Sequence, residues 1–207
     1  MSVCATSSAS TAPIGHRWSL PSATLCGVRV DRSFAFIDLS GFTAFTDSFG
    51  DQDAVELLSS FRTIVRSLAA EYAIRVDKWL GDGVMLVSVE PESLIRTVLE
   101  IDECFHAQGL RLPLRSGLAR GQVLLLEGDD YIGSSVNTAA RLCSLAEPRE
   151  ILAAPSIVDA CPPEVEAVPA GVRRIRGLHE PVRVFDLRRR GAQEREQGDA
   201  MVGGPAA

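Results

Sequence analysis

Two aspartates stand where a carboxylate is costly unless it has something to bind. Asp38 directly follows the apolar run Phe34-Ala35-Phe36-Ile37 and precedes Ser40-Gly41-Phe42-Thr43, while Asp82 lies between Gly81 and Gly83 at the tip of what reads as a hairpin. A carboxylate at the end of a buried strand must be paired, hydrogen-bonded or bound to a cation. Two of them on neighbouring strands suit a hard divalent ion, because Mg²⁺ takes one or two carboxylates and completes its shell with substrate phosphates. The Gly41-Phe42-Thr43 turn ahead of a helix can offer backbone N–H groups to a polyphosphate. Singly, each residue also has an ordinary reading: Asp38 as a turn cap, Asp82 as turn chemistry.

Two further clusters carry polar groups in useful spacings. Lys78, the only lysine of the chain, lies four residues before Asp82 in Lys78-Trp79-Leu80-Gly81-Asp82. Every other basic residue is arginine, so a compact point-charge donor is used once, beside the hairpin. In the run from Asp130 to Arg141, Asn137 and Arg141 are four apart and share one helix face. Such a stripe can hold a ribose and stabilise charge on a transferring phosphoryl group. By spacing alone, a solvated helix face is the favoured reading.

The elements that must position these groups alternate between strand and helix. The run at Phe34–Ile37 predicts a buried central strand. A helix is expected from about Asp53, with Leu57, Leu58, Phe61, Ile64, Val65 and Leu68 on one face and Asp53 and Glu56 as a capping pair. Strands are expected over 72–79 and 84–89, flanking the hairpin, and a second helix over 91–107. Two more strands, over 112–120 and 122–127, lead to a third helix over 134–145. A strand near Ile151, a short helix after Pro155 and two strands ending near Leu187 follow. The order predicts one α+β sandwich, helices packed on a largely antiparallel sheet. Residues 1–31 and 189–207, rich in small and polar residues, read as flexible tails around a catalytic domain at 32–188.

Composition excludes several classes. The net charge of −6 over 207 residues leaves no global basic field for nucleic acid. Five scattered cysteines without a C-x-x-C pair argue against a disulfide framework or zinc site and fit a reduced, cytoplasmic compartment. The aliphatic runs are too short for an integral membrane segment, and the N-terminus has no export-signal pattern.

Four segments, in this order, resemble the class III adenylyl/guanylyl cyclase catalytic domain: Phe36 to Thr43, Lys78 to Gly83, Asp130 to Arg141, and Gly177 to Val184. The resemblance implies a ferredoxin-like α/β sandwich and a reaction in which the ribose 3′-oxygen of ATP attacks the α-phosphate, releasing cyclic AMP and pyrophosphate. It implies that Asp38 and Asp82 hold two divalent cations, Mg²⁺ or Mn²⁺, and that Lys78 and Asp130 read the purine. Asn137 and Arg141 would serve the transition state. It also implies a homodimer, with the aspartates of each site coming from one subunit and the other four residues from its partner. Adenine offers an N6 donor and an N1 acceptor, which Asp130 and Lys78 complement; guanine reverses both. Guanylyl cyclases of the family usually carry glutamate and a small residue there.

Two departures from the family pattern stand out. Trp79 is bulky where a smaller residue is usual, which predicts altered packing beside the purine pocket. The family's second lysine, for the terminal phosphates, has no counterpart, leaving Arg174 or Arg176 to replace it. The rival readings are a cyclase-like binding module without turnover, a guanylate cyclase, and a diguanylate cyclase, the last disfavoured by the lack of a Gly-Gly-Asp/Glu-Glu-Phe signature.

Overall fold

Alternate residues of the first strand serve opposite faces. Ala35, Ile37 and Leu39 enter one apolar cluster, Phe34 and Phe36 the other, as a strand buried on both sides requires. The computed structural model describes residues 28–126, 130–174 and 181–191. Their order is β1 (Val28–Leu39), α1 (Phe42–Glu71), β2 (Arg75–Leu80), β3 (Gly83–Ser88), α2 (Pro91–Ala107), β4 (Leu114–Leu125), β5 (Tyr131–Ile132), α3 (Ser134–Leu145), β6 (Ile151–Ala153), α4 (Pro155–Val158), β7 (Val165–Arg173) and β8 (Val182–Arg189).

The strands form one sheet in the order β2-β3-β1-β4-β6-β8-β7, with β5 paired to β4. Only β4 and β6 run parallel; the other described pairs are antiparallel. The first six elements, with β1 and β3 central among their strands, make the expected ferredoxin-like α/β sandwich. Helices α1 and α2 bury Leu57, Phe61, Leu94 and Ile95 against one face of the sheet. Helix α3 buries Ala139 and Leu142 against the other, on Phe34, Met85 and Ala119. At about 25 cal/mol per Å² of apolar area removed from water, these two layers supply the main driving force for the fold.

Several boundaries differ from the sequence expectations. Helix α1 is kinked at Gly50 (φ 86°, ψ 173°): the helix expected from about Asp53 is its second part, and a first part from Phe42 precedes the kink. The segment Phe42-Thr43-Ala44-Phe45-Thr46 is poor in strong helix formers, so propensity conceals its first turns. Asp53 is not a cap: it accepts a 2.7 Å hydrogen bond from Arg111, and Glu56 accepts one of 3.0 Å from Gln52. Tyr72 ends α1 and does not open β2. The two strands expected over 112–127 are one, because the ladder with β1 continues unbroken from Val28↔Leu125 to Leu39↔Leu114. The pairing partner here overrides the glycine at 121, which by itself reads as a break.

Helix α3 approaches β4 so closely that only glycine fits between them. A Cβ at Gly117 would lie 2.1 Å from the Cys143 backbone nitrogen and 2.3 Å from the Ala139 carbonyl oxygen. Gly117→Ala must therefore push the helix away from the sheet. The expected cost is about 2–3 kcal/mol, the range for forced overpacking, read as a lowered urea midpoint with unchanged slope.

Candidate active site

Strand pairing brings the two expected metal ligands together. Asp38, one residue before the end of β1, stands opposite Gly83 on β3 and Arg115 on β4. Asp82 immediately precedes Gly83 in the β2–β3 turn. A side chain at Gly83 would come within 3.1 Å of Asp38 Oδ1, a measure of how tightly the turn closes on that carboxylate. Arg115 donates to Asp38 Oδ2 through Nε at 3.0 Å and Nη2 at 2.6 Å. Asp38 and Arg115 side chains are only 23% and 31% exposed, so their pairing acts at reduced dielectric.

The electrostatics mark this as a crowded anionic site. Burial, then the neighbouring charge of Asp38, push the Asp82 carboxyl above the usual carboxylate range, and Arg115 only partly opposes them. Beneath the pair lies Cys143 of α3, whose thiol is pushed up to about 12, first by burial and then by Asp38. At neutral pH it is an uncharged floor. A cation would relieve the like-charge repulsion between the aspartates, so the donor set fits a hard divalent ion. Among the described residues no group of three or more His, Cys, Asp and Glu could hold a metal by itself.

The purine-reading candidates also meet. Lys78 Nζ donates to Asp130 Oδ1, and both side chains are about half exposed, 46% and 58%. This hydrogen bond to Asp130, more than any other influence, raises the Lys78 ammonium above its ordinary value. The charges acting on Lys78 are Asp130 and Asp77, while those acting on Asp82 are Asp38 and Arg115. The two pairs are thus held by distinct sets of contacts, Lys78 to Asp130 in one and Asp38 to Arg115 beside the β2–β3 turn in the other. Asn137 is exposed and Arg141 half-buried on α3, whose opposite side carries buried Ser135, Ala139, Leu142 and Cys143. Gly41, in the left-handed region at φ 83°, precedes the first helical residue, Phe42, and its carbonyl accepts from Phe45 N at 3.0 Å. The first-turn amides, including those of Phe42 and Thr43, are therefore the free donors of a helix start.

Trp79, expected to alter packing beside the purine pocket, packs with the cluster under α1 and α2, edge-on to Phe61 at 6.1 Å. Neighbouring strand residues point to opposite faces, so Lys78 and Trp79 cannot share one. Arg115 is the site residue that sequence reading missed. Only the register of β4 against β1 reveals it, since 77 positions separate Arg115 from Asp38. Of the arginines expected to replace the missing lysine, Arg174 is exposed after β7. Arg176 and the segment 177–180 lie outside the described residues, as do 1–27 and 192–207 of the expected tails.

Asp82 gives a pH test with a definite sign. Below its unfolded pKa, folded and unfolded chains both hold the proton and Asp82 costs nothing. As pH rises to and through the raised folded value, the folded chain must surrender a proton it holds more tightly, and stability falls. Asp82→Asn should remove this loss. In EDTA, the variant should be the more stable protein at about pH 7, and its advantage should vanish at about pH 3, checked by urea unfolding across that range.

No protein-family model matches the chain. It is 38% identical over 162 residues to an uncharacterised protein of Mycobacterium tuberculosis, covering 78% of this chain and 41% of that one. It is 35% identical over 171 residues to a pH-sensitive adenylate cyclase of the same species, covering 80% and 42%. The chain thus spans about two fifths of the length of these curated relatives. Among solved structures, the adenylyl cyclase CyaB from P. aeruginosa superposes with a TM-score of 0.68 at 23% identity, covering 80% of this chain and 97% of that one. The guanylate cyclase domain of RhGC from Catenaria anguillulae, in complex with GTP, gives 0.68 at 20% identity, covering 77% and 97%. Among the described residues no helix is long and apolar enough to cross a membrane. Sheet order, helix placement and these likenesses agree: the chain has the fold of the class III adenylyl/guanylyl cyclase catalytic domains.

Proposed function

We propose that the chain is an adenylate cyclase, converting ATP to 3′,5′-cyclic AMP and pyrophosphate at sites shared between two copies. The observation that carries this reading is the coexistence of two separate polar clusters, Asp38 with Asp82 and Lys78 with Asp130, on one cyclase-type sheet. Each supplies half of what a nucleotide needs, so two antiparallel copies can complete two equivalent sites. The relative named as an adenylate cyclase, 35% identical, supports the same activity.

In this reading Asp38 and Asp82 would hold two divalent cations, Mg²⁺ or Mn²⁺. Such ions, when bound, favour ionisation of the ribose 3′-hydroxyl and offset phosphate charge. The chain's own groups do the rest. Asp130 accepts from the adenine N6 amino group and Lys78 donates to N1, exchanging their mutual ion pair for contacts to the base. Guanine would leave both unmatched, at about 1–3 kcal/mol for each buried polar group without a partner. Asn137 orients the ribose, Arg141 neutralises charge at the α-phosphate, and the amides following Gly41 face the polyphosphate. Arg115 adds a fixed positive charge beside the carboxylates, which the lysine content of the chain does not otherwise provide.

The direct test is purified chain with ATP and Mg²⁺ or Mn²⁺, assayed for cyclic AMP and pyrophosphate. Neither product appearing with either metal would reject the assignment. Asp38→Ala and Asp82→Ala should each abolish turnover with the fold retained. Mixing Asp38→Ala with Asn137→Ala protein should restore activity at one of the two sites of each heterodimer; no recovery in proven heterodimers would rule out shared sites. Lys78→Glu combined with Asp130→Ser should erode the preference for ATP over GTP by about ten-fold or more, the equivalent of one lost polar match.

A further inference from the structure

Strand β2 carries Lys78 and leads into Asp82, yet it is the edge strand of the sheet, paired only with β3. The ladder slips between Val76 and Lys78, so register by itself holds this stretch loosely. The Lys78–Asp130 pair is half exposed at both ends and adds little rigidity. Something else must fix the hairpin.

The opposite face of β2 supplies it. Trp79 meets Phe61 of α1 edge-on at 6.1 Å, and Phe61, fully buried, meets Phe105 of α2 edge-on at 5.9 Å. Three aromatic rings thus tie β2 to both helices, in the T-shaped geometry that adds to simple area burial. The guanidinium carbons of Arg62 and Arg66 lie 5.2 and 5.3 Å from the Trp79 ring centroid. Arg62 also donates through Nη2 to the Gly81 carbonyl oxygen at 3.4 Å. That carbonyl begins the peptide bond to Asp82, so α1 reaches the turn as well as the strand.

We propose that Trp79 and Arg62 are positioning residues that pin the β2–β3 hairpin and thereby set the placement of Lys78 and Asp82 together. This rests on the cyclase assignment above for the roles of those two residues. The distinguishing feature is coupling. Lys78 acts on the base and Asp82 on the cations, but one anchor on the far face of β2 governs both. Trp79 touches neither reacting group, and its indole is a strut between sheet and helix. The larger side chain at this position is thus matched by two arginines one helical turn apart on α1.

The test uses the full chain with three substitutions, Trp79→Leu, Trp79→Phe and Arg62→Gln, each checked for folding by circular dichroism and thermal melt. Amide hydrogen exchange is followed in the metal-free protein over residues 76–84. Steady-state KM for ATP and the half-saturating Mn²⁺ concentration are then measured. Faster exchange confined to the hairpin in Trp79→Leu and Arg62→Gln is expected. With it, KM and the Mn²⁺ requirement should rise together by about three- to ten-fold, a modest share of what a 1 Å displacement of a site can cost. Trp79→Phe, which keeps a ring against Phe61, should stay within about two-fold of wild type. Arg62→Gln keeps the core intact and decides the matter if Trp79→Leu fails to fold.

Hairpin exchange unchanged, or raised only in step with the whole molecule, overturns the proposal. So does faster exchange with KM and the Mn²⁺ requirement both unmoved. If the wild-type chain makes no cyclic AMP, the cyclase assignment fails instead. Mn²⁺ binding followed by electron paramagnetic resonance then replaces kinetics, weaker binding in Trp79→Leu and Arg62→Gln supporting the anchor and equal binding refuting it.

Discussion

The end of β1 is where the structure confronts its main electrostatic difficulty. The pairing of β1 with β3 brings Asp38 close to Asp82, and nearness between like charges is unfavourable. Burial worsens this, which is why the Asp82 carboxyl holds its proton above the usual range. The fold limits the damage with Arg115, set directly opposite Asp38 by the antiparallel register of β4 and β1. It also places an uncharged thiol, Cys143, close by. In the proposed reading a bound cation would relieve that repulsion.

The rest of the sheet serves to keep that arrangement in place. Twelve-residue strands β1 and β4 pair along their whole length and span the molecule. The carboxylates sit at one end of this rigid pair, and the helices clamp it from both faces. By contrast Lys78 lies on an edge strand. The molecule thus divides into a stiff base and a hairpin that needs anchoring from the side.

Much of this was legible in the sequence, for physical reasons that differ by element. Helices α2 and α3 were readable to their ends, because Pro91 starts one cleanly and the apolar spacing of both is regular. The aspartates stood out because a charge after Phe34–Ile37 or between two glycines needs explaining. What escaped was long-range. Arg115 is one arginine among many until β4 is laid beside β1. The face of Trp79 follows from strand alternation, yet the bulge at Val76–Lys78 and the position of Phe61 decide what it meets. The start of α1 was concealed by weak local propensity that tertiary packing of Phe45 overcomes.

Gly117 bears on how such a domain can diversify. At Gly117 no side chain separates β4 from α3, so main-chain atoms set how closely the helix can approach there. The residues of α3 inherit a fixed platform. Lys78 and Asp130, by contrast, project into solvent and can be replaced without disturbing any packed layer. A lineage with this architecture can vary that exposed pair without reseating the helix.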